Sequence, residues 1–387
     1  MTNDKPRLLD LNPAELEALM AALGEPRFRA RQVWDWLYRQ LATDFDAMTS
    51  LPKSLRAQLA ESAVIDMVEP VAETWSADRM AQKFLFRLRD GQLVESVLMH
   101  YEDEAAAVAD ADEGVTRGAG RHTVCISSQV GCAMGCVFCA TGQMGLLRNL
   151  TPGEIVAQVL YAERILRRDG ARVTNVVYMG MGEPLANFNA VWRSVETLHD
   201  PHGFNLGARR ITLSTVGLVP GMRRLAEQDL PINLALSIHG ATDEVRDTIV
   251  PINTRYALAD IIAAARDYIA KTGRRLTVEW VLIQDVNDTP QQAERLADLL
   301  RGMLVHVNLI PLNPTAGYDG KTPTPARSLQ FRDTLAARGI PTTLRMRRGI
   351  DVQAGCGQLR TQIVGGRPTS INPTLIATTD HRPPTTG

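Results

Sequence analysis

The sequence predicts an α/β protein in which a small helical N-terminal unit and a β-hairpin precede a core of repeated strand–helix units. Three patterns predict it: helix start and stop signals before residue 63, an alternating stretch around an Asp-Gly turn at 81–99, and six apolar strands separated by helical stretches from residue 121 onwards. Strands that alternate with helices indicate a parallel sheet with right-handed crossovers. The repeat is compatible with a partial (β/α)6 barrel and with an open doubly wound sheet.

A capping box predicts the first helix of the N-terminal unit, which we place at residues 1–70. Asn12 and Glu15 have the residue types and spacing of the box, and Pro13 suits the first helical position. Two further helical stretches follow before residue 63, the first of them amphipathic.

Residues 71–120 are predicted to form a β-hairpin and a solvated linker. Asp90-Gly91 is a favoured hairpin turn between alternating apolar and polar residues. Residues 102–113 contain six acidic residues and no basic one, a composition that does not build a core. The net charge of −1 argues, taken alone, against a nucleic-acid binder. Without the acidic segment, however, the chain has a modest basic excess, which is compatible with a phosphate-bearing substrate.

Residues 121–350 are predicted to form the repeated core, and residues 351–387 a C-terminal segment with a frayed, Thr- and Pro-rich end. No apolar run reaches the roughly 20 residues that span a bilayer, and the first residues lack a signal-peptide pattern, so a cytoplasmic protein with no membrane partner is expected. Functional residues are expected where the strands end. The six strands and one possible further strand are HTVCISSQ, VTNVVYMG, RRITLST, INLALSIH, RLTVEWVLI, VHVNLIPL and TTLRM.

Three of the five cysteines lie within eight residues, which in a reducing compartment indicates a metal or catalytic site rather than disulfides. Cys132, Cys136 and Cys139 are spaced Cys-x3-Cys-x2-Cys. Three thiolates can hold three corners of a cubane 4Fe–4S cluster and leave the fourth iron open to a ligand. The spacing is that of radical S-adenosylmethionine (SAM) enzymes. A structural zinc site is the alternative, and it needs a fourth ligand such as His122 or Cys125.

Polar residues follow several predicted strands. Gly182 and Glu183 end the second strand, where the glycine lets a ligand approach the backbone and the carboxylate can accept hydrogen bonds from an ammonium group. Leu185 stands where a dinucleotide-binding motif needs its third glycine, so that interpretation fails. Because strand ends share one rim, we expect a common ligand for the polar residues that end or follow three other strands: Ser214, Ser237, His239 and Asn313.

Two cysteines remain outside the cluster spacing. Cys125 lies on the first core strand, where a lone cysteine is most often a small buried apolar residue. Cys356 lies between Gly355 and Gly357, downstream of arginines at 345, 347 and 348. The flanking glycines predict a mobile, unhindered thiol, and the nearby guanidinium groups favour the nucleophilic thiolate.

Six segments resemble, in order, the bacterial dual-specificity ribosomal and transfer RNA adenine-C2 methyltransferases, the ribosomal RNA large-subunit methyltransferase N family of the radical SAM superfamily. They are VCISSQVGCAMGCVFCATGQMG, MGMGEPLAN, ITLSTVG, LALSIHG, PLNP and AGCGQLR. The likeness covers nearly the whole chain and departs from the family at the acidic insertion and the extended tail. It implies a partial (β/α)6 barrel radical SAM core with a helical RNA-binding accessory domain and a β-hairpin linker.

The resemblance implies a reaction and its participants. The substrates would be an adenosine in the peptidyl-transferase centre of 23S rRNA and the adenosine 3'-adjacent to the anticodon in tRNAs, each methylated at carbon 2. The cofactors would be one 4Fe–4S cluster on the three spaced cysteines and SAM, two molecules per turnover. An electron donor such as a flavodoxin system would reduce the cluster, and the protein would act as a monomer. SAM contacts are implied at Gly182, Glu183, Ser214, Ser237, Ile238, His239 and Asn313.

The resemblance also implies roles for three further residues. Cys356 would take a methyl group from SAM, carry it as S-methylcysteine and join the adenine in a covalent protein–RNA adduct. Cys125 would resolve the adduct through a transient disulfide with Cys356. Glu95 would accept the ring proton. By strand alternation Glu95 shares a face with Leu93 and Val97, where partial desolvation would raise its pKa toward useful base strength.

Arginine-rich stretches are the candidates for RNA contact, with a solvated arginine face as the ordinary alternative. They are the helix from Arg27 to Arg39, the pair Arg209 and Arg210, and the arginines at 345, 347 and 348.

Three other functions stay open on the motifs. A methyltransferase for carbon 8 of the same ribosomal adenine would share the chemistry. A radical SAM activase of a protein glycine would need neither Cys125 nor Cys356. A zinc-stabilised RNA-binding protein would carry out no catalysis.

Overall fold

The computed structural model describes residues 5–65, 68–101, 120–345, 349–359, 361–364 and 367–370. The predicted acidic linker at 102–113, the frayed end beyond residue 370, and Arg347 and Arg348 lie outside these described residues. Among the described residues, no helix combines the length and the apolar character that crossing a bilayer requires.

Three helices form the N-terminal unit, α1 (Pro13–Ala22), α2 (Phe28–Tyr38) and α3 (Lys53–Ser62). The capping box of α1 is confirmed, because Glu15 N donates to Asn12 Oδ1 and Asn12 N donates to Glu15 Oε2, both at 2.8 Å. Arg39, directly after α2, donates to the carbonyl of Pro201 at 2.7 Å and to that of Gly203 at 3.3 Å. These bonds dock the helical unit on the core.

Ten strands form one sheet, in the order β1-β2-β3-β4-β7-β8-β9-β10-β11-β12. The first four pair antiparallel, and every later neighbour pairs parallel. The strands are β1 (Glu69–Trp75), β2 (Ala81–Arg87), β3 (Leu93–Tyr101), β4 (Arg121–Cys125), β7 (Asn175–Tyr178), β8 (Ile211–Thr215), β9 (Asn233–Ser237), β10 (Leu276–Leu282), β11 (Val305–Pro311) and β12 (Thr342–Leu344). A small antiparallel pair, β5 (Gln129–Gly131) and β6 (Leu146–Asn149), lies outside this sheet, as does the pair β13 (Thr361–Val364) and β14 (Arg367–Ser370).

The fold class is confirmed as a partial (β/α)6 barrel. The strand order is linear among the described residues, so the sheet does not close on itself. Helices connect the parallel strands: α4 (Ala140–Gln143), α5 (Pro152–Arg168), α6 (Phe188–His199), α7 (Val219–Ala226), α8 (Asp243–Ile249), α9 (Leu258–Thr272), α10 (Pro290–Leu300) and α11 (Pro325–Ala337). All seven predicted core strands are present, including the short β12.

The predicted hairpin is present and also joins the main sheet. The Asp90-Gly91 turn is confirmed, with Gly91 at a φ of 82° between β2 and β3. The sequence did not predict β1, nor that β3 would pair with the first core strand, β4. The hairpin therefore extends the barrel sheet and forms one wall of the space inside it. This pairing could not be predicted, because a local turn signal carries no information about distant pairing partners.

Alternation along β10 shows which side chains face that space. Trp280 packs against Phe331 of α11 with the rings tilted and their centroids 5.5 Å apart, so its side of the strand faces the helices. Glu279 and Val281 lie on the opposite, inner side. Val281 packs in the apolar cluster that also contains Cys132 and Cys136. The cysteine loop therefore covers one end of the barrel interior.

Candidate active site

The cysteine loop follows β5 and is shaped by glycine. At Gly131 the φ is 75°, and a Cβ atom there would lie 1.9 Å from the carbonyl oxygen of Gly145, so no other residue fits. Cys132 N donates to the same Gly145 carbonyl at 2.9 Å, and Cys139 N donates to the carbonyl of Cys136 at 3.1 Å. The loop turns tightly enough to keep its three cysteines on one short segment.

The three spaced cysteines have an apolar surrounding that fits an iron–sulfur cluster. Burial raises the pKa of the thiols of Cys132 and Cys136, in the case of Cys132 to about 12. Burial also raises the pKa of Cys139. Thiolates in such a place need a cationic partner, which iron supplies. A donor set of three thiols in an apolar pocket is the one that a 4Fe–4S cluster with an open iron requires.

A zinc site has less support. The two candidates for a fourth ligand are engaged elsewhere. His122 Nδ1 lies 3.0 Å from His100 Nδ1. The pKa of the Cys125 thiol is raised to about 12. Burial is the main cause, and the charge of Cys356 is the second.

Glu183 is buried beside the cysteine loop. Its Oε1 accepts from Leu185 N at 3.0 Å and its Oε2 accepts from Val216 N at 2.9 Å. Burial raises the pKa of Glu183 to about 7, and these backbone bonds limit the rise. A carboxyl group fixed by two backbone donors, with lone pairs left over, suits an ammonium ligand.

Gly182 is required where it stands, which gives a first testable prediction. Its φ is 102°, and a Cβ atom would lie 2.6 Å from Gln129 Cβ. We expect Gly182→Ala to lower SAM affinity about tenfold or more and to destabilise the fold by about 1–3 kcal/mol, because the segment must move away from Gln129. Isothermal titration calorimetry with SAM and thermal unfolding measure the two effects.

Gly24→Ala is the matched control for that prediction. Gly24 also has a positive φ, 74°, but its added Cβ would meet nothing within 4 Å. This variant shares the backbone strain without the clash, so it is expected to bind SAM normally. Equal SAM affinity in both variants would contradict the assignment of Gly182 to the cofactor site.

The other residues predicted to contact SAM lie along the ends of β8, β9 and β11. Ser214 Oγ donates to the carbonyl of Tyr178 at 2.6 Å. His239, at a φ of 60°, accepts at Nδ1 from Val281 N at 3.1 Å, and its ring meets Phe138 edge-on at 5.0 Å. Burial and the charge of Arg246 lower the pKa of His239 to about 3, so the ring is neutral. Ile238 is buried next to it, and Ser237 is half-buried.

Asn313 connects this rim to Cys356. Its Nδ2 donates to the carbonyl of Cys356 at 3.1 Å, while its Oδ1 is buried and has no hydrogen-bond partner among the described residues. An unpaired buried oxygen of this kind is costly unless a ligand donates to it. The Asn313 amide nitrogen therefore binds the C-terminal loop, and its amide oxygen is left to accept a hydrogen bond from a ligand.

The loop that carries Cys356 is held in place, contrary to the expectation of a mobile thiol. Ala140 N donates to the carbonyl of Gly357 at 2.7 Å, and Thr141 Oγ1 donates to the carbonyl of Leu359 at 2.6 Å. These bonds attach the C-terminal loop directly to α4, the helix that begins after Cys139. The structure thus brings Cys356 to the cysteine loop from more than 200 positions away in the sequence.

The thiol of Cys356 is partly desolvated. Cys356 is exposed to solvent, yet protein surrounds it closely enough that burial raises the pKa of its thiol. Arg345 lowers the pKa only in part. Among the described residues, the pKa shift therefore runs opposite to the expected favoured thiolate, since desolvation outweighs the Arg345 guanidinium; Arg347 and Arg348 lie outside these residues.

Glu95 is fully buried on β3 and is paired. Its Oε1 lies 2.7 Å from Nζ of Lys83 on β2. The apolar face predicted by alternation is present, since Leu93 and Val97 are buried, but the prediction did not include the lysine. The hairpin register could have found it, because Lys83 pairs with Val97 and therefore shares a face with Glu95.

Sequence reasoning also missed a polar group on the inner face of the barrel. Glu279 Oε1 accepts from Asn308 Nδ2 at 3.0 Å, and these residues are direct register partners on β10 and β11. The charge of Glu279 is the main reason that the pKa of Arg345 is raised, and Cys356 contributes to the same shift. The sequence signal that could have identified Glu279 is its position as a lone acidic residue in the apolar strand LTVEWVL.

A partial barrel that carries a three-cysteine loop after its first core strand, with a buried acid and polar strand ends facing that loop, defines a radical SAM enzyme. The family model for the radical SAM superfamily matches residues 126–300, and the model for the ribosomal RNA large subunit methyltransferase N-terminal domain matches residues 7–65. The superfamily implies a 4Fe–4S cluster and SAM.

Similar proteins narrow the class to a family. A probable dual-specificity RNA methyltransferase RlmN of Roseiflexus castenholzii is 46% identical over 398 residues, covering 92% of this chain and 96% of that protein. The dual-specificity RNA methyltransferase RlmN 1 of Myxococcus xanthus is 48% identical over 356 residues, with 92% and 94% covered. The crystal structure of a radical SAM methyltransferase from Sphaerobacter thermophilus superposes with a TM-score of 0.86 at 52% identity, covering 92% of this chain and 99% of that one. This chain belongs to the RlmN family of dual-specificity RNA methyltransferases.

Proposed function

We propose that this protein methylates carbon 2 of an adenosine in the peptidyl-transferase centre of 23S rRNA and of the adenosine 3'-adjacent to the anticodon in tRNAs. The observation that carries the proposal is the placement of two spare cysteines. Cys356 is held beside the cysteine loop, where the carbonyl of Gly357 accepts from Ala140 N at 2.7 Å, and its charge contributes to the raised pKa of the buried Cys125. A radical SAM enzyme without a cysteine intermediate has no use for that pair.

Carbon 2 of adenine lies between two ring nitrogens and is too electron-poor to attack a methyl cation donor, which explains the need for a radical route. Cys132, Cys136 and Cys139 would hold the cluster, and Glu183 with the neighbouring strand ends would hold SAM. When bound, SAM would supply the methyl group, and the cluster with a second SAM would supply the radical chemistry, using an electron from the external donor.

The chain's own residues would do the rest. The Cys356 sulfur takes the methyl group and carries it to the ring as part of a covalent adduct. Glu95 accepts the proton that carbon 2 loses. Cys125 would then attack the Cys356 sulfur, so that the sulfur–sulfur bond forms as the sulfur–carbon bond of the adduct breaks. The leaving carbon takes a proton, the one electron left over would pass to the cluster, and the methylated RNA is freed. Asn313 and Thr141 each bond to the backbone of the loop that carries Cys356. We propose that these bonds hold Cys356 where it can take the methyl group beside the cysteine loop and later react with Cys125.

We further propose the division of the chain that its sequence predicts. Residues 1–70 would be an RNA-binding accessory domain, 71–120 a hairpin and linker, 121–350 the barrel, and 351–387 the segment that carries the methyl group. In the accessory domain, the side chain of Arg27 is 85% exposed and the neighbouring Phe28 is 55% exposed. An exposed arginine beside an exposed aromatic ring is a pair that can contact phosphate and stack on a base.

The test compares the wild type with Cys125→Ala, each reconstituted without oxygen and incubated with SAM, a reductant and a transfer RNA transcript. The wild type is expected to give 2-methyladenosine by nucleoside mass spectrometry. Cys125→Ala is expected to accumulate a protein–RNA adduct through Cys356 and to release at least about 100-fold less methyladenosine, because nothing breaks the sulfur–carbon bond.

Three outcomes would contradict the proposal. Only 8-methyladenosine in the wild type would assign the carbon-8 reaction. Purified protein with zinc and no iron or sulfide would assign the non-catalytic function. With the cluster intact, the absence of both methyladenosine and adduct would exclude the cysteine mechanism.

A further inference from the structure

Lys83 is a buried ammonium group with two observed partners. Its Nζ lies 2.7 Å from Glu95 Oε1, with 5% and 0% of the two side chains exposed. It also donates to the backbone carbonyl of Gln353 at 3.3 Å. A buried ion pair is often no more stabilising than a pair of apolar residues of the same size, so stability alone does not explain it.

The second partner of Lys83 belongs to the loop that carries Cys356. Gln353 lies three residues before that cysteine and has a φ of 53°. A second bond joins the same segments, since Asp351 Oδ2 accepts from Ala77 N at 2.7 Å in the turn before β2. The antiparallel wall of the sheet therefore holds the C-terminal loop on one side, while Thr141 holds it on the other.

We propose that Lys83 is the positioning residue of the proton acceptor. It keeps the Glu95 carboxylate ionised and sets its position relative to the loop that brings the methyl group. In the step it serves, a Glu95 oxygen forms a bond to the proton of carbon 2, the carbon–hydrogen electron pair stays with the ring, and Lys83 keeps its proton. This inference rests on the proposed function, because it needs Glu95 to act as the base.

The geometry separates Lys83 from an ordinary core residue. Lys83 contacts both the Glu95 carboxylate and the backbone of the Cys356 loop. Glu95 is further fixed through its backbone, as its carbonyl accepts from Ser127 Oγ at 2.6 Å. The backbone thus places the acid, and the lysine orients its carboxylate toward the loop.

The experiment uses the full-length, cluster-loaded protein with Lys83→Met, which keeps an unbranched side chain one atom shorter and removes its charge. We expect the variant to methylate Cys356 at the wild-type level, measured by mass spectrometry of the protein. We also expect it to form the RNA adduct but to resolve it about 100-fold more slowly, the share that a general base contributes. With deuterium at carbon 2 of the RNA adenine, the isotope effect on adduct resolution should be larger in the variant than in the wild type, because proton removal has become the slow step.

Two further variants keep the test sharp if Lys83→Met folds poorly. Lys83→Arg retains the charge and should recover most of the rate. The double variant Lys83→Met with Glu95→Gln has no unpaired buried charge, so it should fold and accumulate adduct without resolving it. Iron content and circular dichroism check that each protein is loaded and folded.

The outcomes separate this proposal from the proposed function. If Lys83→Met resolves the adduct at the wild-type rate, or slows resolution with no change in the isotope effect, the role of Lys83 is wrong while the methyltransferase assignment stands. Loss of Cys356 methylation in a folded, iron-loaded Lys83→Met variant would also overturn it. If the wild type itself neither methylates Cys356 nor forms 2-methyladenosine, the proposed function fails first.

Discussion

Replacing Cys356 by alanine is expected to abolish methyl transfer to RNA, with a loss of about 1,000-fold or more. The sulfur is the proposed carrier of the methyl group, and no other thiol is placed to substitute for it: Cys125 is buried, and Cys132, Cys136 and Cys139 are assigned to the cluster. Removing a group that forms the covalent intermediate costs most of the catalysis that depends on it. Nucleoside mass spectrometry after incubation with transfer RNA measures the loss.

The fold should survive this change. Cys356 is exposed, and the bonds that fix its loop use backbone carbonyls that alanine retains. We therefore expect normal iron content and normal SAM binding in the variant. Cys125→Ala is the matched control, because it should still carry a methyl group on Cys356 and trap RNA. A Cys356→Ala protein that makes 2-methyladenosine at even a tenth of the wild-type rate would exclude the cysteine carrier.

Local patterns predicted most of the fold. The capping signal located α1, and the apolar runs located all seven predicted core strands. Such features depend on neighbours in sequence, so the sequence contains them. The pairing of β3 with β4 joins strands on either side of the acidic segment. Alternation within the hairpin does not specify which distant strand β3 pairs with.

The electrostatics of the candidate site were harder to predict than its candidate members. Cysteine spacing and strand ends led to the proposed cluster and SAM residues, and those roles stay predictions. The pKa of Cys356 was misjudged because sequence shows nearby arginines but not the protein that desolvates the thiol. Lys83 and Glu279 were missed for the same reason, since each is meaningful only through a partner on another strand.

Arg246 carries the second large effect, on stability. It is fully buried on α8, where it donates to the carbonyl of Ile238 at 2.9 Å, to that of Ser237 at 3.4 Å, to that of Val216 and to Asn253 Oδ1. It thereby ties together the ends of β8 and β9. Burial lowers the pKa of Arg246 to about 10, and the charge of Cys136 is the largest influence that opposes the shift.

We expect Arg246→Met to reduce the free energy of unfolding by about 3–5 kcal/mol, because several buried carbonyls lose their donor at once. Chemical denaturation monitored by circular dichroism measures this change. Iron retention should fall as well, since the variant removes a positive charge next to Cys136. Arg224→Met is the matched control: Arg224 is exposed on α7, lies 4.0 Å above the Phe188 ring, and should cost no more than about 1 kcal/mol. Equal stability of the two variants would show that the strand ends do not depend on Arg246, and the rim would then have to be held by the backbone alone.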